Sequence, residues 1–161
     1  MFTTADCRGA PCLVALCWGG EDLAEELGAL ANRDSDGTEA FTFALARSLC
    51  QTFAAAAGLS AVDTVYPDFR DTEGLCRRAE QARHIGDRGM LAIHPDQVEL
   101  INAAFTPTAA EVAAVRTVID LFSANPGTGA VGYQGAMLDR PYLARAQALV
   151  EAGRGKADSD Y

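Results

Sequence analysis

The sequence predicts an α/β protein built on a parallel sheet. Three short runs rich in apolar or β-branched residues, at 12–18, 59–65 and 89–93, are each followed by a segment of helical character. The order strand, helix, strand, helix, strand, helix calls for right-handed crossovers and parallel pairing. Directly after the first run come Gly19 and Gly20, which let the backbone turn, and then the carboxylates Glu21 and Asp22. A carboxylate just past the carboxyl end of a buried parallel strand stands where α/β proteins bind ligands and metals. Asp22 is therefore the first functional candidate, and its plainer reading is an N-cap for the helix that follows.

The bulk composition narrows the classes. With 161 residues, 49% of them apolar, the chain is long enough for one globular unit with a core. A formal charge of -9 opposes sequence-independent binding to nucleic acid or to an anionic membrane, both of which need clustered Lys and Arg. No basic segment followed by an apolar stretch opens the sequence, and no apolar run approaches the ~18 residues that a span needs. The expectation is a cytoplasmic protein with neither nucleic acid nor membrane as partner. Five cysteines include no CxxC pair and read as reduced thiols. In an extended strand Cys12 and Cys17 fall on opposite faces, which argues against a thiolate metal site.

In chain order, residues 1–11 carry no periodicity and read as an irregular leader. After the first strand, Leu23 to Gly28 is a short helical turn closed by glycine. Asn32 to Thr38 is dense in turn formers, and its two aspartates lack the rest of a calcium loop. Over 39–57 the residues Phe43, Ala46, Leu49, Cys50 and Phe53 recur at helical spacing, and Gly58 ends the pattern. Tyr66-Pro67-Asp68 stops the second strand, a helix runs over about 72–85, and Gly86 stops that. After the third strand His94-Pro95 opens another helix, with proline where its missing N–H costs little. His94 reads as the residue that orders this entry.

Beyond Phe105 the pattern changes. Thr108 and Glu111 form a capping box for a helix reaching about Ala124. Residues 125–135 are glycine-rich and read as a linker, and 141–152 as a last helix before a polar tail. Within the linker, Gly127 to Gly132 matches GxGxxG, but a dinucleotide fingerprint must follow a strand and open a helix, and this one follows a helix.

Several ordered segments carry a resemblance: WGGEDL at 18–23, ARS at 46–48, VDTVY at 62–66, IHPDQV at 93–98, AFTP at 104–107 and GAMLDRP at 135–141. Together they resemble the citrate lyase β-subunit-like branch of the HpcH/HpaI aldolase family, which includes malyl-CoA and citramalyl-CoA lyases. The resemblance runs from about Cys12 to Ala152. It implies a (β/α)8 TIM barrel that cleaves or forms a carbon–carbon bond in a 3-hydroxyacyl-CoA, with Mg2+ as cofactor and an acyl-CoA ester and a small keto acid as substrates. Asp22 takes the position of one of two acidic metal ligands. Asp139 takes that of the aspartate on the C-terminal lid, which acts in acid/base chemistry at the α-carbon, often from a neighbouring subunit; read without the resemblance it is a turn or cap residue.

By this resemblance the chain holds the last part of the barrel: residues 12–105 correspond to strands six to eight, 106–152 to a helical lid and 153–161 to a polar tail. The first metal carboxylate and the arginine that grips the substrate carboxylate have no counterpart. Three parallel strands cannot close a barrel, so two sheet edges and apolar surface should be left open. The expectation is a lyase fragment inactive alone, associating as a homo-oligomer or with a complementary N-terminal half chain. The alternatives are one half of a split two-chain lyase and a non-catalytic CoA-binding or oligomerisation module.

Overall fold

The computed structural model describes residues 7–154. The start of the expected leader and the polar tail beyond Arg154 lie outside them. The chain divides into two compact units, Met1–Phe105 and Thr106–Tyr161.

The first unit alternates as the sequence predicts: β1 (Ala15–Cys17), α1 (Gly20–Leu27), α2 (Phe41–Ala57), β2 (Ser60–Asp63), α3 (Thr72–Ile85), β3 (Gly89–Met90) and α4 (Pro95–Phe105). The three strands form one sheet in the order β1-β2-β3, parallel throughout, with Leu16 opposite Ala61 and Val62 opposite Gly89. This α/β succession with in-order parallel strands is that of consecutive units of a (β/α)8 barrel.

The strands are shorter than the apolar runs that announced them. Cys12 lies ahead of β1 with φ 66, in the left-handed region, so the run 12–18 turns before it becomes strand and the two-face argument for Cys12 and Cys17 does not apply. Among the described residues each of the outer strands has one hydrogen-bonded neighbour, and Val14 (77% exposed) and Ile93 (52% exposed) flank them in the open. An apolar core of Leu75, Ala79, Met90 and Ile101 joins α3, β3 and α4, with Tyr66 and Phe105 packed on it.

Helix ends follow side-chain chemistry. Asp71 caps α3 by accepting from the Gly74 N–H at 2.9 Å, and Gly86 closes it in the left-handed conformation. Gln97, fully buried, accepts from the Ile93 N–H at 2.9 Å and donates to the Tyr66 carbonyl at 2.9 Å, so both ends of its amide are satisfied. The IHPDQV segment thereby locks the loop after β2 to the entry of α4.

The second unit holds α5 (Ala109–Ala124), β4 (Ala130–Tyr133), β5 (Ala136–Asp139) and α6 (Arg140–Arg154). Both bonds of the Thr108/Glu111 capping box are present. The glycine-rich stretch is not a linker and the unit is not purely helical: β4 and β5 form an antiparallel hairpin, Val131 opposite Leu138. Gln134 (φ 47) and Gly135 (φ 80) make its two-residue turn, where positive φ at both positions matches strand twist. The GxGxxG match runs from the turn after α5 into β4 and opens no helix. Phe122, Val131 and Leu138 form this unit's core. Among the described residues no helix is long and apolar enough to cross a membrane.

Candidate active site

The carboxyl ends of β1, β2 and β3 lead into the turns at Trp18–Asp22, Thr64–Asp68 and Leu91–His94. Asp22 sits at the first of these. It is not an N-cap: Gly19 holds that place, and Asp22 is in the first turn of α1, which begins three residues earlier than the periodicity suggests. Two glycines and two acidic residues make this a short turn that feeds directly into a helix start favoured by negative charge. The Asp22 side chain folds back over Gly19, close enough that a Cβ on Gly19 would collide with Oδ2 and lie 3.2 Å from Cγ. Asp22 is exposed and its side chain has no hydrogen bond or ion pair to another described residue, whereas its neighbour Glu21 accepts from Asn32 Nδ2 at 2.7 Å. Among the described residues no three His, Cys, Asp or Glu side chains converge as a metal cluster. The donor chemistry of the turn fits one ligand of a hard cation and not a complete set, since Mg2+ takes one or two carboxylates and fills its octahedron with other oxygens.

The turn rests on a buried ionic cluster that sequence reasoning missed. Asp63, at the end of β2, is completely excluded from solvent and shares with Ala61 the sheet face covered by helices. Its Oδ1 accepts from Trp18 Nε1 at 2.8 Å and its Oδ2 from Arg47 Nη2 at 3.0 Å and Arg78 Nε at 2.8 Å. Glu39 completes the cluster against Arg78 Nη2 at 3.0 Å, and Asp87 Oδ2 lies 3.6 Å from Arg47. Helix α2 thus buries Phe43, Arg47 and Ala54, whereas Ala46, Leu49, Cys50 and Phe53 are half-buried around an apolar hollow of about 310 Å³ beside Leu16, Trp18 and Leu23. The signal was a lone arginine at helical spacing from Phe43 and an aspartate alternating with Ala61.

Burial, and then the Asp63 charge, push the Cys17 thiol above its ordinary value; burial, and then Cys17, do the same to Cys50. Neither is a ready thiolate nucleophile. His94 stacks on Phe69 with ring centroids 4.5 Å apart and accepts from the Asp96 N–H at 3.2 Å, so it orders the entry of α4.

In the second unit Asp139 ends β5, exposed, and its Oδ1 accepts from the Tyr142 N–H at 3.4 Å in the first turn of α6. Asp22 and Asp139 lie in different units, and each is placed by its own local structure.

Comparison with known proteins gives these segments a common origin. The sequence model of the HpcH/HpaI aldolase/citrate lyase family matches residues 9–95. The chain is 37% identical over 141 residues to the mitochondrial citramalyl-CoA lyase of Mus musculus, covering 86% of this chain and 40% of that protein. A citrate lyase subunit beta-like protein of Mycobacterium tuberculosis is 32% identical over 156 residues, covering 97% of this chain and 56% of its own length. The crystal structure of CitE from Mycobacterium tuberculosis in complex with magnesium, acetoacetate and coenzyme A superposes with a TM-score of 0.80 at 30% identity, over 94% of this chain and 55% of that one. The chain spans about half the length of the curated relatives it matches. With ordered motifs, parallel β/α units and this likeness in agreement, the chain belongs to the HpcH/HpaI aldolase/citrate lyase family.

Proposed function

We propose that this chain carries part of the site of a Mg2+-dependent CoA-ester lyase, which cleaves or forms a carbon–carbon bond in a 3-hydroxyacyl-CoA such as malyl-CoA or citramalyl-CoA. The observation that carries this reading is Asp22, an exposed and unpartnered carboxylate at the carboxyl end of β1, in a chain related to a citramalyl-CoA lyase and to a protein crystallised with magnesium, acetoacetate and coenzyme A. When bound, magnesium would polarise the keto carbonyl and steady the charge that builds on its oxygen. Asp22 supplies one ligand. Glu21 is engaged by Asn32, and this reading assigns the second carboxylate to the complementary half of the site.

Asp139 is the proton carrier at the α-carbon of the acyl-CoA. In cleavage the 3-hydroxyl gives its proton to a solvent water, the carbon–carbon bond breaks to leave a keto acid, and the thioester enolate takes a proton from the protonated Asp139 carboxyl, which solvent then reprotonates; condensation runs both transfers in reverse. The long bond from Tyr142 orients Oδ1 and leaves the carboxylate exposed for this exchange. The substrates are an acyl-CoA ester and a small keto acid, and the rest of the site is furnished by a complementary N-terminal half rather than by a homo-oligomer of this chain alone. The cysteines, all unpaired among the described residues, agree with a cytoplasmic location.

The test is a malyl-CoA and citramalyl-CoA cleavage assay on the purified chain, alone and co-expressed with a polypeptide matching the part of its relatives that it does not cover. We expect no turnover alone and magnesium-dependent turnover in the pair, abolished by Asp22→Ala and by Asp139→Ala. Turnover without magnesium, or turnover indifferent to Asp22→Ala, refutes the proposal.

A further inference from the structure

We propose that Trp18 and Thr64 are positioning residues for the Asp22 carboxylate, acting through the two-glycine turn that carries it; the inference rests on the reading of Asp22 as a metal ligand. A turn made of Gly19 and Gly20 has wide backbone freedom of its own. A cation site does not tolerate that freedom, because Mg2+ demands near-ideal octahedral geometry. Two hydrogen bonds remove it. On one side of the turn, Trp18 Nε1 donates to Asp63 Oδ1 at 2.8 Å. On the other, the Gly20 N–H donates to Thr64 Oγ1 at 3.2 Å.

Both anchors end on one rigid body. Thr64 follows Asp63, and its own N–H donates to Asp63 Oδ1 at 2.9 Å. Asp63 in turn is clamped by Arg47 from α2 and by Arg78 from α3. The indole ring also lies against the turn: a Cβ on Gly20 would stand 3.2 Å from Cη2 and Cζ3 of Trp18. The helix layer behind the sheet therefore fixes where Gly20 sits, and Asp22 is two residues on. Groups that orient a metal ligand in this way are worth about 10–100-fold in metal affinity.

The experiment uses Mn2+ as the probe, with free ion followed by electron paramagnetic resonance in titrations of the chain co-expressed with the polypeptide matching the part of its relatives that it does not cover. The wild-type pair is expected to bind and the pair carrying Asp22→Asn not to. Thr64→Val, which keeps the shape and loses the acceptor, should weaken binding about tenfold or more at an unchanged unfolding midpoint, and Thr64→Ser should restore it. Trp18→Phe should weaken it in the same way and covers the case in which Thr64→Val fails to fold. Wild-type affinity in both Thr64→Val and Trp18→Phe overturns the positioning role and leaves the metal reading standing. A wild-type pair that takes up no Mn2+ overturns the metal reading of Asp22, and this inference with it.

Discussion

Arg78 grips Asp63 with two parallel bonds, Nε to Oδ2 at 2.8 Å and Nη2 to Oδ1 at 3.2 Å, around a carboxylate with no solvent exposure. A buried pair of this kind contributes little over an apolar replacement of both partners, but loss of one partner strands a charge in a poorly solvated place. Arg78→Met should therefore cost about 3 kcal/mol or more of unfolding free energy, with Arg47 at 3.0 Å holding the loss below a complete collapse. Urea unfolding measures it; a loss below about 1 kcal/mol would mean that water reaches Asp63.

Tyr66 and Asp71 set a pH dependence at the head of α3. The Tyr66 hydroxyl donates to Asp71 Oδ2 at 2.7 Å, and that bond first, then the Gly74 N–H, hold the carboxyl below its ordinary value of 3.8. A depressed folded-state value means stability that is present above the unfolded value and lost as pH falls through the folded one. Asp71→Asn should lower the urea midpoint at neutral pH, and the gap to wild type should shrink as pH drops below 3.8. A gap that stays constant down to the acid limit would remove Asp71 from the pH response. Gly74→Ala should lower the midpoint as well, since a Cβ there would collide with both Asp71 Oδ2 and the Tyr66 hydroxyl.

What could be read from sequence was local. The span of α3, the capping box at Thr108 and Glu111 and the parallel order of the strands follow from periodicity and end signals within a few residues. The hairpin Ala130–Asp139 escaped because its strands are four residues each, too short for alternation to outweigh the surrounding glycines. The ionic cluster escaped for a different reason: Glu39 meets Arg78 across 39 positions, and the spacing of Arg47 from Phe43, which puts it on the inner face of α2, does not say which carboxylate it meets. At the candidate site, the place of Asp22 at a strand end was legible, whereas the bonds that hold its turn, from Trp18 to Asp63 and from Gly20 to Thr64, reach across to the neighbouring strand.

Asp87 is the cluster's weak member. Burial, and then the Asp63 charge, push its carboxyl above the ordinary 3.8, with Gln51 and Arg47 pulling the other way. The native state then binds more protons than the unfolded chain above 3.8, so Asp87 costs stability as pH rises through the folded-state value. Asp87→Asn removes that cost, and Arg47 keeps Asp63 as its partner. The variant should gain on wild type in urea midpoint between pH 4 and pH 7, values set about the ordinary carboxylate range. Equal differences at the two pH values would mean that Asp87 ionises in the fold as it does in the unfolded chain.

Gly19→Ala separates the proposed metal ligand Asp22 from the fold. The backbone at Gly19, φ -102 and ψ 102, is extended and open to any L residue, so alanine introduces no strain there. Its lower unfolded-state entropy should by itself raise stability by about 0.4–1 kcal/mol. The new Cβ, however, would occupy the space in which Asp22 Oδ2 lies, and the carboxylate must rotate away from the end of β1. The expected variant keeps or improves its unfolding midpoint and loses Mn2+ affinity about tenfold or more, as a misoriented ligand does. Gly20→Ala is the contrast, because its Cβ meets the Trp18 ring rather than the carboxylate, so its penalty should appear in stability as well. Unchanged Mn2+ binding in Gly19→Ala would show that the Asp22 carboxylate does not need to fold back over the turn to hold a cation.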